Sequence, residues 1–300
     1  MPIEPRHVLE AERAKAFYIE TLRPAEARAD WLTAVRTARD LAADALRASA
    51  YLRDIEAALA DSCGHSLIFR QMLSPPMSQD QFALVCPEWS KTAEKDNRPL
   101  VGAGIRATAA AINERMDHTI APWLVAGRDP TREDVTLFLK VVSALLASQT
   151  VQTQRRTRLA AAQENAVIDR LQRAEWTRLP SRLIDHRAQV PARHFMYKTR
   201  FATSPTTHQE VDIACGLPGT YVVAMECKVT NDETNSVKRV NDVLKKATAW
   251  RRQWGAFVQT AALLQGVIAP KDVQRLTDAE VEVFWSHDLD TFMAWLAARA

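Results

Sequence analysis

Between residues 26 and 60, apolar side chains recur at Leu32, Val35, Ala38, Leu41, Ala42 and Ala45 in a stretch rich in Ala, Leu, Arg and Asp. That is a 3.6-residue period and predicts helix. Ser62-Cys63-Gly64 and Ser74-Pro75-Pro76 interrupt the pattern, and residues 88–104, with Pro99, Gly102 and Gly104, read as loop. Helical patterning returns at 105–121 and 131–148. Thr131 with Asp134 three residues later has the spacing of an N-cap with an acid in the first turn. A basic helix is predicted from about 154 to 179, with Pro180 as its stop.

The period then changes. Residues 195–201, 210–215 and 221–229 are short, rich in β-branched and aromatic side chains, and separated by turn residues, which predicts three strands. Residues 235–254 read as helix, with an apolar stripe of Val237, Val240, Leu244, Ala247 and Trp250 and an exposed side of Lys238, Lys245, Lys246 and Arg252. Two more strands, 256–268 and 281–286, and a closing helix, 289–298, complete the pattern, without internal repeats. The predicted fold class is α/β (α+β): a mixed sheet flanked by helices over 151–300, preceded by a mainly α-helical region over 1–150 assigned to DNA recognition or dimerisation.

Hydrophobic residues at 47% and charged residues at 25% are usual for a globular chain. The longest apolar stretches, around 138–147 and 256–269, are broken by Lys140, Gln259 and Gln265, so neither a membrane span nor a secretory leader is predicted. Cys63, Cys86, Cys215 and Cys227 show no CxxC spacing and no histidine at a zinc-finger offset, which predicts reduced thiols in a cytoplasmic protein without a structural metal. The net charge of +3 is uneven. Residues 1–150 carry 18 Lys/Arg and 20 Asp/Glu, residues 151–255 carry 18 and 10, and residues 256–300 carry 3 and 6. A positive field over the middle stretch suits a polyanionic partner. A solvated Arg-rich face is the alternative.

The candidate chemistry lies in that stretch, in QEVDIACGLPGTYVVAMECKV at 209–229. Alternate strand residues share a face. Glu210 with Asp212, and Glu226 with Lys228, therefore mark one face of each strand, while Val211, Ile213 and Cys215, and Met225, Cys227 and Val229, mark the other. If Asp212 opposes Glu226, then Ala214 opposes Ala224, Gly216 opposes Val222, Glu210 opposes Lys228, and Pro218-Gly219-Thr220 forms a three-residue hairpin loop. The two carboxylates, with the backbone carbonyl of Cys227, are hard oxygen ligands of the kind Mg²⁺ takes, and Lys228 is a compact cation beside them. Glu226-Cys227-Lys228 is the chain's one acid-x-Lys triplet, yet chance supplies about one in a chain of this composition. Its weight comes from lying on an apolar strand, where a charge is costly unless paired or metal-bound. An ion pair of Lys228 with Glu226 or Glu210 on a solvent-facing sheet remains the alternative.

Asp212, thirteen residues, then Glu226-Cys227-Lys228, set in a helix–strand–strand–strand–helix–strand order, resembles the PD-(D/E)xK nuclease superfamily, with Val211 where a proline often stands. The run EVDIACGLPGTYVVAMECKVTNDETNSVKRVND and the later VFWSHDL at 283–289 resemble the XamI-type restriction endonucleases. The resemblance implies a type II restriction enzyme that uses Mg²⁺ and cuts both strands of double-stranded DNA at a short palindrome, GTCGAC for the family's namesake. It further implies a homodimer and a cognate DNA methyltransferase in the same system. On it, Asp212 and Glu226 are metal ligands and Lys228 is the catalytic lysine. Glu164, on the preceding helix, is an assisting acid or an ordinary exposed one, and Glu210 is a ligand or a holder of Lys228.

Lys238, Arg239, Lys245 and Lys246 after the motif, and Arg155, Arg156 and Arg158 before it, are candidates to neutralise phosphates. Asn231, Asn235 and Ser236, in a polar loop just past the motif, are candidate DNA contacts. Two other functions remain open: a structure-directed repair or junction nuclease, and a DNA-binding protein with a decayed nuclease fold. The latter predicts loss of an acid or the lysine, and all three are present.

Overall fold

The computed structural model describes residues 3–22, 24–204 and 207–300, and divides into two units: Met1–Arg23 with Arg155–Ala300, and Pro24–Gln154. The sequence placed the first helix, α1 (Pro5–Glu20), with the helical half; it belongs instead with the sheet. Small residues decide this. Ala11 and Ala14 are buried and let α1 lie close against Ala262 and Leu264 of the sheet.

The helical unit comprises α2 (Pro24–Ala48), α3 (Ile55–Asp61), α4 (Ser66–Phe69), α5 (Gln79–Val85), α6 (Lys91–Lys95), α7 (Ala103–Arg115), α8 (Pro122–Val125) and the start of α9 (Arg132–Arg173). The single helix expected over 26–60 is broken at Ala50, Tyr51 and Leu52, which all take positive φ. Within the stretch expected to be loop, α6 forms under a Ser90 cap that accepts the Ala93 N–H. The core is built on Phe69, Phe82, Ile112, Trp123 and Phe138, and on a buried ion pair of Arg70 with Glu94.

The two helices expected at 131–148 and 154–179 are one, α9. Its predicted N-cap is present: Thr131 Oγ1 accepts the Asp134 N–H and Asp134 Oδ2 accepts the Thr131 N–H. No Gly or Pro lies between 148 and 154, so nothing ends the helix there. It stops at Arg173, before the left-handed residue Glu175, rather than at Pro180. By length and composition α9 has a stretch apolar enough to cross a membrane, of mean hydropathy 1.4. The inner side of that part (Phe138, Val142, Leu146, Ala147) is buried in the helical core.

In the sheet unit, β1 (Thr177–Leu179), β2 (Leu183–Ile184), β3 (His194–Ala202), β4 (His208–Gly216), β5 (Val222–Thr230), β6 (Val258–Gly266) and β7 (Glu282–Trp285) form a mixed sheet in the order β1-β3-β4-β5-β6-β7, with β2 beside β3. β3, β4 and β5 are antiparallel neighbours; the other pairings are parallel. The predicted strands are present, and the hairpin ladder has the predicted register as far as it runs, with Ala214 opposite Ala224 and Gly216 opposite Val222; it ends before the predicted pairs Asp212–Glu226 and Glu210–Lys228. α10 (Glu233–Trp254) joins β5 to β6, α11 (Pro270–Asp278) joins β6 to β7, and α12 (Leu289–Ala297) closes the chain. α11 was not expected; its apolar stripe is only Val273 and Leu276.

Two apolar layers cover the sheet. Val167, Leu171, Phe292 and Leu296, from α9 and α12, pack on Ile213, Val223 and Met225. Trp250 packs on Ala214, Val222 and Ala224, and Val240, Val243 and Ala247 on Ala262 and Leu264. Neighbouring β5 residues thus fall in different layers, as a pleat requires. β3 and β4 break that rule at one point. Tyr197 and Ile213 belong to the α9 layer, while Phe201 and Val211 belong to the Trp250 layer. Strict alternation would have kept Val211 with Ile213 and Cys215. The switch occurs at Lys198, which has φ +46°, directly across from Asp212.

Gly266 closes β6 with φ +100°, and a Cβ there would lie 1.8 Å from the Thr230 carbonyl oxygen at the end of β5. Gly266→Ala is therefore expected to cost about 2–3 kcal/mol through overpacking and backbone strain. An unchanged denaturation midpoint would contradict this.

Candidate active site

The β4–β5 ladder ends at Ile213 opposite Met225, one step before Asp212. There the side chain replaces a backbone acceptor: Asp212 Oδ2 accepts the Cys227 N–H at 2.7 Å. The expected meeting of Asp212 with the Glu226–Lys228 strand is present, through the N–H between those two residues. On β5, Glu226 and Lys228 share the face that α10 covers. Glu226 is fully buried, and its Oε2 accepts from Lys228 Nζ at 2.6 Å and from Lys246 Nζ at 2.8 Å. Lys228 Nζ also lies 2.9 Å from Asp242 Oδ2. Asp242 and Lys246 are four residues apart, so one side of α10 delivers both to the strand.

Burial, and then the charge of Asp212, push the Glu226 carboxyl above its ordinary range. Burial raises Asp212 as well, against the Cys227 N–H and the charge of Lys228, which lower it. Burial acts to lower Lys228, but Glu226 and Asp242 outweigh it and hold the ammonium protonated. For Asp242, burial is outweighed by its bond to Lys228, and the carboxyl lies below its usual value. Both carboxyls are thus raised by burial beside an ammonium held charged. Glu226 Oε1 is buried with no hydrogen-bond partner among the described residues. Such an oxygen costs free energy unless something positive reaches it.

Glu164, from α9, is buried rather than an exposed helix acid. It accepts from Tyr197 Oη at 2.5 Å and pairs with Lys198 at 3.0 Å, and its charge reaches Asp212. Burial, then Glu164, raises the Tyr197 phenol, and Glu164 raises the Lys198 ammonium. The kink at Lys198 therefore serves to bring this group alongside Asp212.

A family model described as XamI restriction endonuclease matches residues 50–285. The chain belongs to the XamI restriction endonuclease family. It is 30% identical over 208 residues to the type II restriction enzyme XamI of Xanthomonas campestris pv. amaranthicola, spanning 66% of this chain and 71% of that protein. The crystal structure of protein VC1899 from Vibrio cholerae aligns over 88% of this chain and 57% of its own, at 9% identity and a TM-score of 0.32. The XamI match takes in most of the helical unit as well as the sheet, so both belong to the family's common chain.

In this XamI-family chain several sequence candidates stand elsewhere than expected. Glu210 is exposed and pairs in the sheet with Arg200, so it neither joins the site nor holds Lys228. Ser236 is fully buried, and its hydroxyl donates to Asp272 Oδ2 at 2.9 Å; it secures α10 to α11 and presents nothing to a DNA groove. That inward serine also turns the α10 stripe, which buries Val243 and leaves Val237 exposed. Asn231 and Asn235 are exposed beside the Asp232 cap, and Lys238 is exposed. Arg239 is half-buried. Arg155 lies against the Tyr18 ring. Lys246, expected on the exposed side, is in the site. Sequence reasoning missed Asp242, Tyr197 and Lys198. The one signal for Asp242 was its four-residue spacing from Lys246, which ordinary surface helices share.

Proposed function

We propose that this XamI-family chain is a type II restriction endonuclease that hydrolyses both strands of duplex DNA at a short palindrome, with Mg²⁺ as its cation. The observation that carries the reading is the convergence of Asp212, Glu226 and Lys228 on one hairpin, with Glu226 Oε1 buried and unpartnered. No group of three or more His, Cys, Asp or Glu able to hold a metal occurs among the described residues. Two carboxylates suit Mg²⁺ better than most ions, because it retains waters and completes its shell with substrate phosphates. Asp212 and Glu226 would hold it, with the Cys227 carbonyl as a further oxygen. Such an ion polarises a phosphate oxygen and lowers the pKa of a bound water.

The remaining work falls to the chain. Lys228, fixed between Glu226 and Asp242, presents a permanent charge where negative charge would develop on the phosphate oxygens. Glu164 stands beside Asp212 as an assisting acid. Asn231, Asn235, Lys238 and Arg239 are placed past the end of β5, where they would contact DNA. The helical unit would serve recognition or pairing of two copies, since a two-fold site suits a two-fold protein. GTCGAC is the first sequence to test, with a methyltransferase protecting it in the same cell. The cytoplasm, where DNA is present and thiols stay reduced, suits the four free cysteines.

Plasmid digestion tests the reading. Discrete fragments are expected with Mg²⁺ and none with EDTA, and sequencing the fragment ends gives the site and the cut position. Metal-independent cleavage, a smear, or a preference for branched DNA would overturn it.

A further inference from the structure

We propose that Lys246 is a second catalytic lysine, one that binds a non-bridging oxygen of the reacting phosphate. This rests on the nuclease reading and extends it to a residue outside the acid-x-Lys motif. Lys246 lies on α10, eighteen residues past Lys228 and on a different element. Its side chain is only 15% exposed and runs inward, unlike that of its exposed neighbour Lys245.

The two lysines differ in the donors they have left. An ammonium has three N–H groups. Lys228 commits two of them, to Glu226 and Asp242. Lys246 commits one, to Glu226, among the described residues. Lys246 therefore retains more capacity for a new acceptor than the motif lysine does. Both ammoniums also converge on the same oxygen, Glu226 Oε2, at 2.6 and 2.8 Å. Like charges so placed repel, and the charges of Asp212 and Asp242 reach both of them. Lys246 is thus the ammonium with donors to spare, on a carboxylate whose other oxygen has no partner among the described residues.

A phosphodiester supplies what is missing. Its anionic oxygen can accept from the free donors of Lys246, and Glu226 Oε1 remains for the cation. In this arrangement Lys228 is held rigid by two carboxylates, and Lys246 moves by a single hydrogen bond to follow charge onto the phosphate. The surface alternative, a plain Glu226–Lys246 ion pair that only fastens α10 to β5, predicts lost stability and no specific loss of chemistry.

The experiment compares Lys246→Ala, Lys246→Gln and Lys246→Arg with the wild-type chain on a supercoiled plasmid that the wild type cuts with Mg²⁺. At saturating DNA, Lys246→Ala and Lys246→Gln are expected to cut about 10²-fold more slowly, as when one preorganised donor is lost. Lys246→Arg should recover part of the rate. Binding of the metal-free protein to a plasmid fragment is measured against NaCl. Loss of one phosphate contact should lower the slope of log K against log salt by about 0.9. Thermal melting identifies any variant that fails to fold; Lys246→Gln, nearly equal in length, then decides. Cleavage by folded Lys246→Ala or Lys246→Gln within about threefold of wild type, with an unchanged salt slope, overturns the proposal and leaves the nuclease reading standing. If the wild type itself cuts with no divalent cation tried, the nuclease reading falls and the proposal with it.

Discussion

Alanine at Asp212, Glu226 or Lys228 abolishes DNA cleavage, lowering the rate by about 10³-fold or more, because residues that act as a unit each carry nearly the whole effect. The three variants should differ in what else they lose. Glu226→Ala removes the shared partner of two largely buried ammoniums, so it also destabilises the sheet unit. Glu226→Gln keeps the shape and one acceptor, and separates the loss of charge from the loss of packing. Asp212→Ala frees the Cys227 N–H at the point where the ladder has already ended, and should cost less stability than Glu226→Ala. Lys228→Ala leaves Glu226 with Lys246 and should fold. Each folded variant should still bind DNA, since phosphate contacts lie largely outside these three side chains. Full activity in any one of them would sink the assignment.

The second large effect is in the helical unit. Arg70 and Glu94 are 3% and 2% exposed and meet through Nε and Nη2 at 3.0 and 2.8 Å. Gln79 and Ser66 donate to the same carboxylate, Arg70 Nη1 donates to the Met77 carbonyl, and Trp89 donates to Ser66. Every strong donor and acceptor in this group thus has a partner. Glu94→Ala leaves a buried guanidinium without its anion and is expected to cost about 3–5 kcal/mol. Replacing both partners with Arg70→Met and Glu94→Leu should cost much less, because no charge is then left behind. Denaturant unfolding followed by far-UV circular dichroism measures both. A Glu94→Ala loss under about 1 kcal/mol would show that water reaches the cluster, and would contradict its burial.

The hairpin was legible because its information is local. A period of two, apolar residues on either side of each acid, and a three-residue loop leave one register that puts Asp212 by Glu226, and a one-residue slip would turn every side chain over. The Thr131 cap was legible for the same reason, since Thr and Asp three apart need only each other. Failures came where a residue answers to something distant. Ser236 looked like a polar loop residue, but its partner is Asp272, thirty-six positions on. The stretch 270–278 was missed because its apolar stripe is short, with Val273 and Leu276 buried beside Asp272. The helices predicted at 131–148 and 154–179 were separated on weak propensities that a packed helix overrides.

The sequence alone determined that a carboxylate pair and a lysine meet on one hairpin, and which family the hairpin resembles. Strand alternation and loop length are properties of contiguous residues, and they admit few solutions. The tertiary structure decided which acid counts and what surrounds it. The kink at Lys198, opposite Asp212, lets the side chain of Asp212 reach the Cys227 N–H and leaves Glu210 in solvent. Helix α10 brings Asp242 and Lys246 down onto β5, and α9 brings Glu164 to Tyr197 and Lys198. On a helix these residues have the spacing and composition of an ordinary charged face. Only the packing of those faces against the sheet brings their charges onto Glu226, Lys228 and Asp212.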